Sequence, residues 1–189
     1  MLSRFTTLAI ALSFSTAVFA HDDIPDLYPQ SALYAKPVEV IPYVFSAIGA
    51  TAPPRYENSG HNNNLSFIVT GDGVVVVNAG AAYLLAKALH DEIKAVTDQP
   101  VKLVINENGQ GHAMLGNNYW VEQGVRVLAQ EDAAHEFEER GYNSLEGMKR
   151  YNREKSEGTV LQGPTETFAD KYVVPFGDFP IEVLRLGPA

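Results

Sequence analysis

The sequence contains no cysteine among its 189 residues. This absence excludes disulfide bonds, thiolate metal sites and a cysteine nucleophile. Basic residues are few as well, because 14 Lys and Arg stand against 23 Asp and Glu, a formal net charge of −9. A chain without a basic stripe is poorly suited to nucleic acid or to an anionic membrane surface, so we expect neither as a partner. The G-x-G-x-x-G and P-loop motifs of nucleotide sites are also missing.

Long apolar runs are scarce, and the clearest one lies within the first 20 residues. Arg4 precedes this run, and Val18-Phe19-Ala20 places small residues at the −3 and −1 positions of a cleavage site. We interpret residues 1–20 as a secretory signal peptide, because the run is too short to span about 30 Å of hydrocarbon. Cleavage near Ala20 predicts a secreted or periplasmic protein with an extended leader over 21–37 and a domain over 38–189.

The hydrophobic pattern predicts an α/β fold. Short apolar runs bounded by turn residues predict strands over Val38–Phe45 (interrupted by Pro42), Leu65–Thr70, Val74–Val77, Val101–Ile105, Val125–Ala129, Thr167–Val174 and Ile181–Leu186. Apolar residues at helical spacing predict helices over Ala81–Thr97, Asn117–Gln123, Glu131–Arg140 (closed by Gly141) and Ser144–Glu157. The early strands and the helices that follow them predict a sheet with helices on one face, and the unbroken valine run predicts a strand covered on both faces.

Two stretches together resemble the metallo-β-lactamase fold superfamily. They are Asn64–Gly80, which reads NLSFIVTGDGVVVVNAG, and, after a helix, Val101–Asn117, which reads VKLVINENGQGHAMLGN. The closing Leu186–Ala189 is similar to a further motif of that family, so the resemblance covers roughly 38–189. More narrowly, the chain is similar to the periplasmic relatives associated with quinoprotein or sulfur oxidation. The resemblance implies the N-terminal portion of an αββα sandwich, a domain incomplete at its C-terminal end because the family's later metal ligands would follow Ala189.

The resemblance also implies where a metal site would lie. The family binds one or two metal ions, usually zinc, through an H-x-H-x-D-H motif after the strand equivalent to Val101–Asn106. It places Asn108 and Gln110 at the first two His positions, His112 at the Asp position and Ala113 at the last His position. Asn78 stands where the family has a strand-end Asp that supports the site. The motif is therefore degenerate, and no residue is assigned a catalytic role.

The chemistry of these side chains argues against bound zinc. A hydrolytic zinc site needs about three imidazole, thiolate or carboxylate ligands and an open position for water. Asn108 and Gln110 offer only amide oxygens, which suit Ca²⁺ or Mg²⁺ better. His112 is a competent ligand, but one imidazole does not hold zinc, and Glu107 would have to turn inward to help. Each replacement nevertheless keeps a polar group that can preserve the hydrogen bonds of the loop.

Two functions remain open from the sequence. The first is an exported protein with little or no hydrolase activity, no cofactor and a binding or structural role, whose incomplete core a second polypeptide or self-association would complete. The second is an active metal-dependent hydrolase with a metal such as zinc held around Glu107, Gln110 and His112. It would act on an ester, thioester or lactam-like substrate through a metal-activated water.

The remaining histidines give weaker signals. His21 would become the mature N-terminus, where its amine and imidazole can chelate copper, but a frayed acidic leader is the preferred interpretation. His61 lies in an Asn-rich loop. His90 and His135 lie on predicted helices beside acidic residues, and we expect both on solvated faces.

Overall fold

The computed structural model describes Tyr28 and residues 30–187, so the predicted signal peptide and most of the leader lie outside the described residues. Seven strands form the main sheet in the order β1 to β7: β1 (Val38–Ile41), β2 (Val44–Ala47), β3 (Leu65–Val69), β4 (Val74–Val77), β5 (Val101–Asn106), β6 (Arg126–Gln130) and β7 (Glu166–Phe168). Four α-helices are described: α1 (Tyr83–Val96), α2 (Gly111–Met114), α3 (Asn117–Glu122) and α4 (Glu131–Asn152). A second, two-stranded sheet pairs β8 (Lys171–Val173) with β9 (Glu182–Leu184).

The strand pairing of the main sheet changes from antiparallel to parallel at β4. Strands β1 to β4 pair antiparallel, with short turns at 42–43 and 70–73 and a long loop over 48–64, whereas β4, β5, β6 and β7 pair parallel through helical connections. The carboxyl ends of β4, β5 and β6 therefore meet along one edge of the sheet. Polar side chains that follow these strands are placed beside one another there.

The larger core lies between the sheet and the helices. Side chains from alternate positions of β4, Val74 and Val76, pack on this face with Leu85 and Leu89 of α1 and Trp120 of α3. All five are at most 1% exposed. Each large apolar side chain buried in this way contributes about 1.5–3 kcal/mol. The helices are thus held on one face of the sheet, as the sequence predicts.

The opposite face carries a smaller core. Val75, Leu103 and Leu128 point to this side, where the β8–β9 hairpin covers them with residues such as Val174 and Val183. Val74, Val75 and Val76 are all fully buried, which confirms the prediction of a strand covered on both faces.

Helix α4 corrects one prediction. The sequence predicts two helices separated at Gly141, but Glu131–Asn152 is a single helix of 22 residues that runs through that glycine. A Cβ at Gly141 would lie 3.3 Å from the Phe137 ring and 3.4 Å from Leu161. Gly141 therefore serves close packing inside the helix instead of ending it.

The last two predicted strands also differ from the structure. The expected strand Thr167–Val174 is divided by a bend at Ala169 and Asp170. Its first part is β7, which extends the main sheet, and its second part is β8, which pairs with β9 on the other face. The chain thus leaves the sheet edge and crosses over its second face. The first predicted strand is similarly divided at Pro42 into β1 and β2, because Tyr43 has a φ of 71° and turns the chain back.

Candidate functional site

Asn78 and Glu107 follow the ends of the neighbouring parallel strands β4 and β5, and the structure brings them together. The backbone N–H of Glu107 donates to Asn78 Oδ1 at 3.1 Å, and Asn78 Nδ2 donates to the Asn64 carbonyl at 3.4 Å. Asn78 is 1% exposed and has a φ of 69°, a left-handed conformation that Asn tolerates better than most residues. Asn78 therefore ties the start of the predicted metal loop to the strand beside it.

The motif loop, residues 107–113, is partly helical. Gly111–Met114 forms the short helix α2, which begins within this loop. The N–H of Gln110 donates to Asn108 Oδ1 at 2.9 Å, so Asn108 stabilises the turn that leads into α2. Gln110 is the exposed residue just before the helix, and Ala113 is fully buried beneath it.

Asn106 holds the other side of the loop. Its Nδ2 donates to the Ala113 carbonyl at 2.7 Å and to Asn117 Oδ1 at 3.1 Å. Asn117 in turn donates to the Gln162 carbonyl at 3.1 Å. This buried amide network joins β5, α2, α3 and the segment before β7, which gives the loop a fixed backbone.

His112 and Glu107 approach each other at the surface of this loop. His112 Nε2 lies 4.0 Å from Glu107 Oε1 and 3.3 Å from Asn108 Nδ2. An amide Nδ2 only donates, so Nε2 accepts this hydrogen bond and the ring proton is on Nδ1. Burial lowers the pKa of His112 below its usual value, and the Glu107 carboxylate offsets this only in part. The imidazole is therefore neutral at neutral pH.

The residues of the loop do not fit a zinc site. Zinc needs about three strong donors with a fixed geometry. His112 Nε2 is already engaged by Asn108, Asn108 Oδ1 is engaged by the backbone of Gln110, and Ala113 has no donor. Within the described part of the chain, no three His, Asp or Glu side chains converge at one point. Glu107 and His112 are the two side chains here that could contribute to metal binding.

A cleft of about 510 Å³ lies beside the motif loop. One wall is the loop itself, the second is a face of α4, and the third is the segment before β3. Its lining residues are Pro54, Asn62, Gly109, Gln110, Gly111, His112, Leu115, Glu136, Arg140, Ser144, Gly147, Met148 and Tyr151. We call this the loop cleft. Asn62, Ser144 and Tyr151 were not among the residues predicted from sequence, because nothing local to them marks a site.

A second cavity of about 930 Å³ lies on the other face of the sheet. Its floor is apolar and includes Ile68, Ile105 and Phe168, while its polar rim includes Asn106 and Glu107. We call this the sheet-face cavity. Glu136 and Arg140 line both cavities and form an ion pair with an Nη1–Oε1 distance of 3.0 Å, so they separate one from the other.

The other described histidines occupy different environments. His61 is fully buried, with Nδ1 accepting from the Tyr34 N–H at 2.9 Å. His90 was expected on a solvated face, but its Nδ1 lies 2.8 Å from the Tyr119 hydroxyl and burial lowers its pKa. That prediction is wrong because α1 and α3 pack together through this pair. His135 lies on an exposed face of α4 with its side chain 72% exposed, as predicted, and His21 lies outside the described residues.

None of the helices within residues 30–187 is long and apolar enough to cross a membrane. No model of a known protein family matches the sequence, and no curated protein matches it. Among solved structures, the chain is similar to a metallo-beta-lactamase from Pontibacter korlensis, with 19% sequence identity and a TM-score of 0.55. The likeness covers 77% of this chain and spans 58% of the length of that one. The chain therefore has a metallo-β-lactamase-type α/β fold, which confirms the fold predicted from the sequence.

Proposed function

We propose that this chain is an exported protein of the metallo-β-lactamase fold that has lost its catalytic zinc and acts by binding instead of by hydrolysis. The observation that supports this most directly is the use of the motif-loop side chains. Asn108 accepts a backbone hydrogen bond, His112 accepts from Asn108, and Ala113 is buried without a donor. These groups maintain the loop and leave too few strong donors for zinc.

The loop is well suited to a binding role. Asn78 and Asn106 fix its two ends through buried amide hydrogen bonds, so little conformational entropy is lost when a ligand contacts it. The adjacent loop cleft, at about 510 Å³, falls in the range of roughly 300–1,000 Å³ typical of small-molecule sites.

Export and association are part of the same proposal. The N-terminal pattern around Ala20 supports cleavage and export, and mass spectrometry of the mature protein should give an N-terminus at His21. The apolar floor of the sheet-face cavity supports contact with a second polypeptide or a second copy. Light scattering on the purified protein should then give a mass above that of one chain.

The alternative is an active metal-dependent hydrolase, and one distance favours it. Glu107 Oε1 and His112 Nε2 lie 4.0 Å apart, close enough to share an ion after small side-chain movements. With Gln110 nearby they are the predicted ligands for such an ion. Zinc held there would supply an activated water for an ester, thioester or lactam-like substrate.

Metal content decides between the two functions. The mature protein is incubated with Zn²⁺, Mn²⁺ or Fe²⁺, dialysed and analysed by mass spectrometry, with esterase, thioesterase and lactamase assays alongside. We expect far less than one metal per chain and no hydrolysis. A stoichiometric metal that is lost in His112→Ala, but retained in the control His135→Ala, would overturn the proposal if hydrolysis accompanies it.

A further inference from the structure

Three polar groups of the loop cleft lack hydrogen-bond partners among the described residues. Asn62 Oδ1 is buried and receives no donor from residues 30–187. The hydroxyls of Ser144 and Tyr151 also make no hydrogen bond within that part of the chain. Of the three, only Asn62 Oδ1 is shielded from solvent, where an unpaired polar atom costs about 1–3 kcal/mol. A ligand that donates to it recovers this free energy, and the Ser144 and Tyr151 hydroxyls stay open to hydrogen-bond the same ligand.

The cleft is electrically balanced. Glu136 and Arg140 neutralise each other through their ion pair, and His112 Nε2 already accepts the hydrogen bond that Asn108 Nδ2 donates. No other carboxylate or basic side chain lines the cleft within the described residues. A charged ligand would therefore be desolvated without a free opposite charge to compensate it, which selects for a neutral ligand.

The lining alternates polar and apolar surface. Leu115 and Met148 form a buried floor at 2% and 0% exposure, and Pro54 and the half-buried Tyr151 ring are apolar surfaces open to a ligand. Burial raises the pKa of Tyr151 to about 12, so its hydroxyl stays protonated and can donate. Ser and Tyr hydroxyls both donate and accept, whereas Asn62 Oδ1 only accepts. The matching ligand has several hydroxyl groups and an apolar face.

We propose that the loop cleft binds a neutral, polyhydroxylated small molecule with the chemistry of a mono- or disaccharide. This inference rests on the proposed binding function and names the ligand class for it. Ligand hydroxyls pair with Ser144, Tyr151 and Asn62, and the carbon–hydrogen face of the ligand packs on Pro54 and the Tyr151 ring. Binding in this mode requires no metal ion.

Gly147 supplies a way to block the cleft without disturbing the fold. It lies on α4 within the lining, and a Cβ there would meet no heavy atom closer than Arg150 Nη2 at 3.7 Å. Gly147→Leu should gain about 1 kcal/mol of helix propensity while its side chain enters the cleft. Asn143→Leu is a matched control, because Asn143 is an exposed residue of the same helix outside the lining.

The experiment uses the full mature chain treated with EDTA and a panel of glucose, galactose, N-acetylglucosamine, maltose and sucrose. Saturation-transfer NMR and calorimetry measure binding, and acetate and putrescine serve as charged probes. We expect at least one sugar to bind, with affinity reduced by about tenfold in the double variant Ser144→Ala/Tyr151→Phe. Binding should be lost in Gly147→Leu and retained in Asn143→Leu.

Three results would overturn the inference: no sugar binds the wild-type protein, sugar binding survives Gly147→Leu, or a charged probe binds in the cleft while sugars do not. The metal assay separates this outcome from the proposed function. A protein that holds stoichiometric zinc and hydrolyses esters, yet binds sugars in a Gly147-dependent manner, refutes the proposed function alone. A zinc-free protein that binds none of the sugars refutes this inference alone.

Discussion

The buried His61 makes the stability of the protein depend on pH. Its Nδ1 accepts from the Tyr34 N–H at 2.9 Å, so its Nε2 carries the proton and donates to the Ala47 carbonyl at 3.2 Å. Burial lowers the pKa of His61 from 6.5 to about 4. The ring therefore links the segment before β1 to β2 only in its neutral form.

The direction and size of the effect follow from this pKa. Because the folded-state pKa is below 6.5, the unfolded chain binds the proton more tightly, and stability falls as the pH drops from 6.5 towards 4. The full effect is about 3 kcal/mol. Near pH 4.5, we expect a loss of about 2–3 kcal/mol relative to pH 7.5 from this residue alone.

Urea denaturation of the wild type and of His61→Gln, near pH 7.5 and near pH 4.5, tests the prediction. The variant should be less stable near pH 7.5, but its stability should fall by about 2 kcal/mol less than that of the wild type on acidification. His90 and His112 titrate in both proteins, so their contributions cancel. Equal losses in the two proteins, or an NMR titration of the His61 ring with a pKa near 6.5, would refute the reasoning.

Two further predictions concern packing. In urea melts, Gly116→Ala should lower the free energy of unfolding by about 2–3 kcal/mol, because a Cβ there would lie 2.3 Å from the Ala79 carbonyl oxygen. The control Gly163→Ala should change the free energy of unfolding little, because no atom lies within 4 Å of its added Cβ. Arg126→Gln should lower the free energy of unfolding by about 1 kcal/mol, because the guanidinium makes a two-point contact with Glu166. The loss should be smaller at high salt, because the Arg126 side chain is 41% exposed. An unchanged urea midpoint would contradict this prediction.

The elements that the sequence predicts well are those with a strong local signal. The Val74–Val77 run, the turn before it and the spacing of Leu85 and Leu89 specify β4, its hairpin and α1 without reference to the rest of the chain. Gly141 leads to a wrong helix boundary because a glycine that ends a helix and a glycine required for close packing cannot be distinguished in the sequence. The division of the last predicted strand depends on which face of the sheet is uncovered, and this is a property of the assembled fold.

The candidate site likewise contains residues that the sequence indicates and residues that it does not. The resemblance assigns Asn78 a supporting position beside the loop that begins at Glu107, and the structure joins the two residues through one hydrogen bond. Ser144 and Tyr151 reach the loop cleft from the second half of α4, more than thirty positions further along the chain than the motif loop. Their role depends on how α4 lies against α2, so no pattern near them in the sequence indicates it.

The geometry of the motif loop also limits how the sequence can change. Asn78 uses its Oδ1 atom to accept a backbone hydrogen bond, which an Asp carboxylate would also accept, and the exposed Gln110 leaves room for an imidazole. Ala113 is different, because it is fully buried in the core and a histidine there would overpack it by at least about 1–3 kcal/mol. A histidine at position 113 would therefore require the core beneath α2 to be rebuilt, whereas the polar positions of the loop can change without that step.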